Sequence, residues 1–152
     1  MHRTALHRLT GLATALIGTA LAGAAQAELI IEDAWARATP PGFSKGAVYL
    51  EIRNDSRRSD TLVGVHTERA GRAELHRTIE EGGNSRMVHT PRVRVPAEGS
   101  VTFEPGGRHV MMMGIDEALT EGERFSLELE AETAGTLRVN VEVLAPTAMG
   151  VD

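Results

Sequence analysis

Residues 108–114 read RHVMMMG, three methionines in a row one residue after a histidine, in a chain with no cysteine. Beyond residue 27 the chain carries four histidines (His66, His76, His89, His109) and five methionines (Met87, Met111, Met112, Met113, Met149). Thioether sulfur is a soft ligand that discriminates against hard cations such as Mg or Ca. A mixed His/Met set without thiolate suits copper, and Cu(I) in particular. Zinc would recruit Cys, His or carboxylate in place of two thioethers. The missing cysteine excludes a Cys-ligated zinc site, an iron–sulfur cluster and a blue-copper thiolate centre.

Placement matters more than number. Between His76 and Met87 lie the turn residues 81–84. A hairpin folded between Glu81 and Gly82 sets His76 and Met87 directly opposite each other, with Cβ atoms about 4.5–5.5 Å apart. Leu75 and Ile79 then take the apolar face and His76 the other. The alternative reading of this pair is an exposed histidine facing a surface methionine. In a strand, side chains alternate faces. His109, Met111 and Met113 therefore point one way, and Val110 and Met112 the other. Val110 and Met112 are expected in the core, Met112 as adaptable packing, and His109 with Met111 towards a site.

The elements that must hold these groups read as short strands. Period-2 alternation runs through 46–54, 61–67, 71–81, 92–96, 100–105, 124–132 and 136–144. One polar face and one apolar face is the pattern of antiparallel strands packed on one side. Gly82-Gly83-Asn84, Pro96–Gly99, Pro105-Gly106-Gly107 and Ala134-Gly135 punctuate the runs as turns. Only 115–122, IDEALTEG, reads as a possible helical turn. The expected fold is all-β, a single-domain sandwich with Greek-key connections. Trp35 reads as a core anchor, His66 as an ordinary strand residue, and the tail 146–152 as frayed.

The first 27 residues look like a leader. A basic start with Arg3 and Arg8, an apolar run and Ala25-Gln26-Ala27 form a secretory signal pattern, cleaved after Ala27. The run is shorter than the roughly 20 residues a membrane span needs, so the mature form is expected to carry no membrane anchor. The predicted organisation is a signal peptide over 1–27, a β-sandwich domain over 28–145 and a short tail over 146–152. Without Arg3 and Arg8, 14 basic residues remain against 21 acidic ones. An acidic domain is a poor match for nucleic acid or an anionic membrane surface. A domain of this size builds a real core, and without disulfides packing must hold it.

The spacing resembles that of a known family. The PCuAC periplasmic copper chaperones carry His, ten residues, Met, twenty-one residues, then His-x-Met, and His76, Met87, His109 and Met111 match at every step. IEDAWARATPPG (31–42), GAVYLEIRN (46–54) and 92–115 are similar to the family's flanking strands. The resemblance spans nearly all of 30–145. It implies a cupredoxin-like sandwich that binds Cu(I) through those four residues. It further implies a monomer in the periplasm that delivers copper, notably towards the binuclear centre of cytochrome c oxidase. The accepting protein would be the oxidase copper subunit or a thiol-containing assembly factor. The chain departs from the family pattern in two places. Arg77-Thr78 follows the first histidine where many members have a methionine nearby, and His89 stands where many have a second methionine. His89 shares parity with Met87 and is an auxiliary candidate, as is Met113 on the face of His109.

Other readings are a general copper-buffering or resistance protein, an electron-transfer cupredoxin, a metal-free structural sandwich and an enzyme. The missing cysteine opposes the cupredoxin. No nucleophile–base order, paired-carboxylate motif or phosphate loop supports catalysis, so no enzymatic activity is expected. Protons compete for imidazole, so copper binding is expected to weaken as pH falls through about 6.5.

Overall fold

The computed structural model describes residues 28–152; the leader expected over 1–27 lies outside them. Ten strands follow in chain order: β1 (Leu29–Arg37), β2 (Lys45–Asn54), β3 (Asp60–His66), β4 (Arg72–Glu81), β5 (Asn84–His89), β6 (Val93–Val95), β7 (Gly99–Phe103), β8 (Arg108–Met113), β9 (Arg124–Ala131) and β10 (Gly135–Leu144). They join in the order β5-β4-β8-β7-β2-β1-β10-β9-β3-β6. β3 also packs against β4, and β6 against β2 and β7, so the sheet folds over on itself into two layers. The all-β, single-domain architecture read from the alternation is the one that forms.

The alternation translates directly into burial. Leu127 and Leu129 of β9, Val141 and Val143 of β10, Val48, Leu50 and Ile52 of β2, and Val110 and Met112 of β8 all lie in the core. Each such aliphatic side chain contributes about 1.5–3 kcal/mol on leaving water. Asp60, also buried, accepts the backbone N–H groups of Thr133 and Ala134 at 2.9 and 2.8 Å and so anchors the β9–β10 turn to β3.

Three expectations change. Among the described residues no helix forms. Segment 115–122 gives its backbone groups to the loop after β1: Ile115 N–H donates to Ser44 O, Thr39 N–H to Leu119 O, and Leu119 N–H to Thr39 Oγ1. Those bonds, with Ile115 and Leu119 buried, displace the internal ladder a helical turn needs. The tail is tied down, because Arg37 donates to Ala148 O at 2.7 Å and to Met149 Sδ at 2.9 Å.

Trp35 is buried, yet on the opposite face from the inner core. β1 contains a bulge between Glu32 and Trp35, with Asp33 at φ 51°. The extra residue swaps the strand's faces. Leu29 points inward before the bulge and Ala36 after it, which leaves Trp35 facing out, opposite Tyr49. Their ring centroids lie 4.7 Å apart.

Candidate metal centre

β8 is the rigid half of the site. Val110 and Met112 anchor it in the core, so His109, Met111 and Met113 project from the other face, as the alternation predicts. β8 pairs with β2 on one side, Ala47 opposite Met111, which brings Tyr49 onto the face of His109. On its other side it pairs with β4, and β4 with the edge strand β5.

This pairing produces rows across three strands. His109 stands opposite His76, and His76 opposite His89. The ring centroids of His76 lie 5.8 Å from those of His109 and 5.7 Å from those of His89. Glu74 is opposite Met111, Arg72 opposite Met113, and Thr78 opposite Met87. All of them share the face opposite Leu75, which is buried.

The expected direct pairing of His76 with Met87 is therefore corrected. The hairpin turns about Gly82-Gly83, not between Glu81 and Gly82: Glu81 pairs with Asn84. Both glycines have positive φ, 58° and 81°. A two-residue turn left-handed at both positions matches the twist of the flanking strands, and only glycine adopts it without cost. His89 takes the place opposite His76. Met87 moves one row along to a diagonal position, 56% exposed. Diagonal neighbours are about 7–8 Å apart at Cα, still within reach of a long side chain.

The two inner histidines are wired alike. His76 Nε2 donates to Glu74 Oε2 at 2.9 Å, and His109 Nδ1 donates to the Gly107 carbonyl at 3.2 Å. In a neutral imidazole this leaves the lone pair on His76 Nδ1 and on His109 Nε2. Those two atoms are the buried side-chain nitrogens without a hydrogen-bond partner among the described residues. A buried unpaired acceptor is costly, and a ligand for it removes the cost. One ring nitrogen fixed by a carboxylate or carbonyl and the other free is the arrangement that orients metal-binding histidines.

Electrostatics keep this wiring in place. Burial pushes His109 below the ordinary imidazole range, and nearby His76 adds to this against the Gly107 bond. Its Nε2 therefore stays unprotonated at neutral pH, and proton competition at His109 sets in lower than for a free imidazole. The hydrogen bond from His76 holds Glu74 below the usual carboxylate range, with help from Arg72, whose Nε lies 3.2 Å from Glu74 Oε1. Glu74 went unnoticed in the sequence. Its signal was there: Glu-x-His in a strand puts both side chains on one face.

Among the described residues no three His or carboxylate groups are arranged to hold an ion. A metal using His76 and His109 must complete its shell with thioether, and Met111 and Met87 lie on the same face. Met113 is one row further out, where its sulfur accepts from Arg72 Nη2 at 3.4 Å. His66 is exposed on β3 opposite Glu128 and lines a separate open cleft of about 540 Å³ with Arg69 and Arg138. It has no part in the His/Met face.

Imidazoles and thioethers gathered on one face of a cysteine-free β-sandwich define a class of thiolate-free soft-metal-binding domain. A family model described as "Putative lipoprotein LpqE-like" matches residues 29–143, and the chain belongs to that family. The resemblance to PCuAC domains read from the motif agrees with the solved structures it is similar to. One is a "Copper-bound PCuAC domain from PmoF2", 26% identical, covering 81% of this chain and 97% of that one, with a TM-score of 0.67. Another is the solution structure of CuI-DR1885 from Deinococcus radiodurans, 32% identical over 84% of this chain and 85% of that one, with a TM-score of 0.63. A relative from Leifsonia xyli subsp. xyli, "Putative lipoprotein Lxx21020", is 29% identical over 137 residues, 89% of this chain and 81% of that protein.

Proposed function

We propose that this protein is an exported copper chaperone that holds one Cu(I) through His76, His109, Met111 and Met87. The observation that carries the reading is the pair of buried, unpartnered imidazole nitrogens whose opposite nitrogens are already bonded. Four neutral donors suit a soft monovalent ion. Glu74, one step away through His76, offsets its charge. The donors differ in exposure: His109 is 3% exposed and Met87 56%. Met87 on the edge strand is thus the donor a recipient's ligand displaces first, while His109 and Met111 on β8 keep hold until exchange is complete.

Family membership and the copper-bound neighbours favour this reading. The recipient we propose is the binuclear copper centre of cytochrome c oxidase, reached directly or through a thiol-containing assembly factor in the periplasm. Anaerobic titration against a Cu(I) chelate should give one tight equivalent, lost in His76→Ala and in Met111→Ala. Equal retention by wild type and variants would sink the assignment. Transfer to the soluble copper domain of the oxidase tests delivery; a loaded protein that never passes copper on would be a buffer.

A further inference from the structure

We propose that the free edge of β5 is the docking site for the copper recipient, which adds an extended, acidic segment there as a further strand of the sheet. The proposal rests on the chaperone reading and names how its partner is recognised. The edges of the sheet are β5 and β6, and the chain treats them differently. β6 is three residues long, Val93–Val95, with both valines buried and prolines at 91 and 96. Short edge strands and prolines block strand addition. β5 is six residues long, contains no proline, and every residue but Val88 is exposed. An unprotected edge is a template for another chain, and this one carries Met87.

The register fixes which groups the edge offers. Thr90 N–H donates to Leu75 O, while Thr78 N–H turns away from β5 to Gly107 O. Opposed residues of an antiparallel pair alternate between hydrogen-bonded and non-bonded. Asn84, Arg86 and Val88 therefore bond to β4, and the N–H and C=O groups of Ser85, Met87 and His89 face outward. The outward backbone groups thus belong to the residues whose side chains lie on the His/Met face. A recipient strand bonded to Met87 sets one of its own side chains opposite, with Cβ atoms about 4.5–5.5 Å apart. A thiol or thioether at that position reaches an ion held by Met87 and takes its place in the shell.

Charge defines the flanking positions. Arg86 and Val88 lie on the other face of β5, where Arg77 stands opposite Val88 and Arg108 opposite Arg77. Arg77 and Arg108 have no ion pair among the described residues, and like charges directly opposite repel. Arg86 has only the exposed Glu81, at 3.3 Å. A recipient strand with carboxylates opposite Arg86 and Val88 and sulfur between them fits both faces of the edge. A second copy of this chain fits poorly, because it brings more arginine to the cluster.

The test follows Cu(I) from the loaded chain, without its leader, to the soluble copper domain of the oxidase, with a small-molecule Cu(I) chelator as acceptor in parallel. Ser85→Pro removes an outward N–H and sets a ring on the free edge while keeping the bonds to β4. It should leave Cu(I) affinity and transfer to the chelator unchanged. It should slow transfer to the copper domain about tenfold or more, within the range over which interface changes move association rates. Arg86→Glu should slow the same transfer, most at low salt. In wild type, the Met87 and His89 amides should gain hydrogen-exchange protection when the copper domain is added. Should Ser85→Pro fail to fold, Arg86→Glu and the exchange measurement decide. Transfer by the variants at the wild-type rate, amides that stay unprotected, or a loaded chain that passes no copper to this domain overturns the proposal and leaves copper binding standing. Failure of wild type to bind Cu(I) overturns the chaperone reading itself.

Discussion

Glu74→Gln is the most direct probe of how the site is built. The carboxylate touches no proposed copper-binding atom; it accepts His76 Nε2–H at 2.9 Å and so directs the lone pair to Nδ1. Glutamine keeps the length and offers a carbonyl acceptor, but removes the charge. Hydrogen bonds to charged groups contribute about 1.5–3 kcal/mol and neutral ones about 0.5–1.5, so the exchange costs about 1–1.5 kcal/mol in orienting His76. Loss of such partners weakens metal binding by about 10–100-fold. Glu74 is 24% exposed and paired with Arg72, so solvent screens part of its charge and the lower half of that range applies, about 10–30-fold. The assay is anaerobic Cu(I) competition at pH 7.5, with Glu74→Ala alongside, expected to be weaker still because no acceptor remains. The acid limb of apo stability supplies a second readout. Glu74 has a depressed pKa, so its stabilisation is present above the unfolded carboxylate value of about 4.3 and is lost as pH falls through the lowered folded value. Glu74→Gln should lack that component. Affinity within twofold of wild type, in a variant set where His76→Ala abolishes binding, would show that the carboxylate does not set the tautomer.

Burial of His109 makes apo stability fall as pH drops from about 6.5 towards its lowered folded value, because the unfolded chain takes up a proton that the folded one resists. His109→Gln should flatten that part of a melting-temperature profile; an unchanged slope would assign it elsewhere. Deleting Gly83 leaves one turn residue and forces β5 to slip, turning Met87 and His89 to the other face. Copper affinity should fall while the near-ultraviolet signal of Trp35 persists, and unchanged affinity would exclude β5 from the site. Leu127→Ala, fully buried on β9, should cost about 2–5 kcal/mol in denaturant midpoint measurements. It should leave one Cu(I) per folded molecule, since β9 is remote from β8 in the sheet.

Much of this was legible because period-2 alternation survives wherever a strand is regular. Phe125, Leu127 and Leu129 announce β9, and the parity of HVMMM separates the buried Met112 from Met111 before any coordinates. What escaped depended on single-residue offsets. A turn centred between Glu81 and Gly82 puts Met87 opposite His76, and moving the centre one residue along, onto Gly82-Gly83, puts His89 there instead. Alternation alone does not see that. Trp35 escaped for a related reason. The bulge rests on Asp33 in a left-handed conformation, which aspartate tolerates but does not advertise, and one extra residue reverses every face after it. The helical reading of 115–122 failed because local propensity knew nothing of Thr39 and Ser44, whose bonds are tertiary.

The bulge has an optical consequence. By turning the chain's single tryptophan outward, it seats the one strong fluorophore against Tyr49, on the strand that neighbours β8, two strand spacings or about 10 Å from His109. Cu(II), with its open d shell, quenches indole emission at such range. Cu(I), with a filled shell, does so weakly. Trp35 is therefore placed to report on copper held at the proposed site. Oxidation of Cu(I) held at the proposed site should darken the protein, and ascorbate should restore its emission.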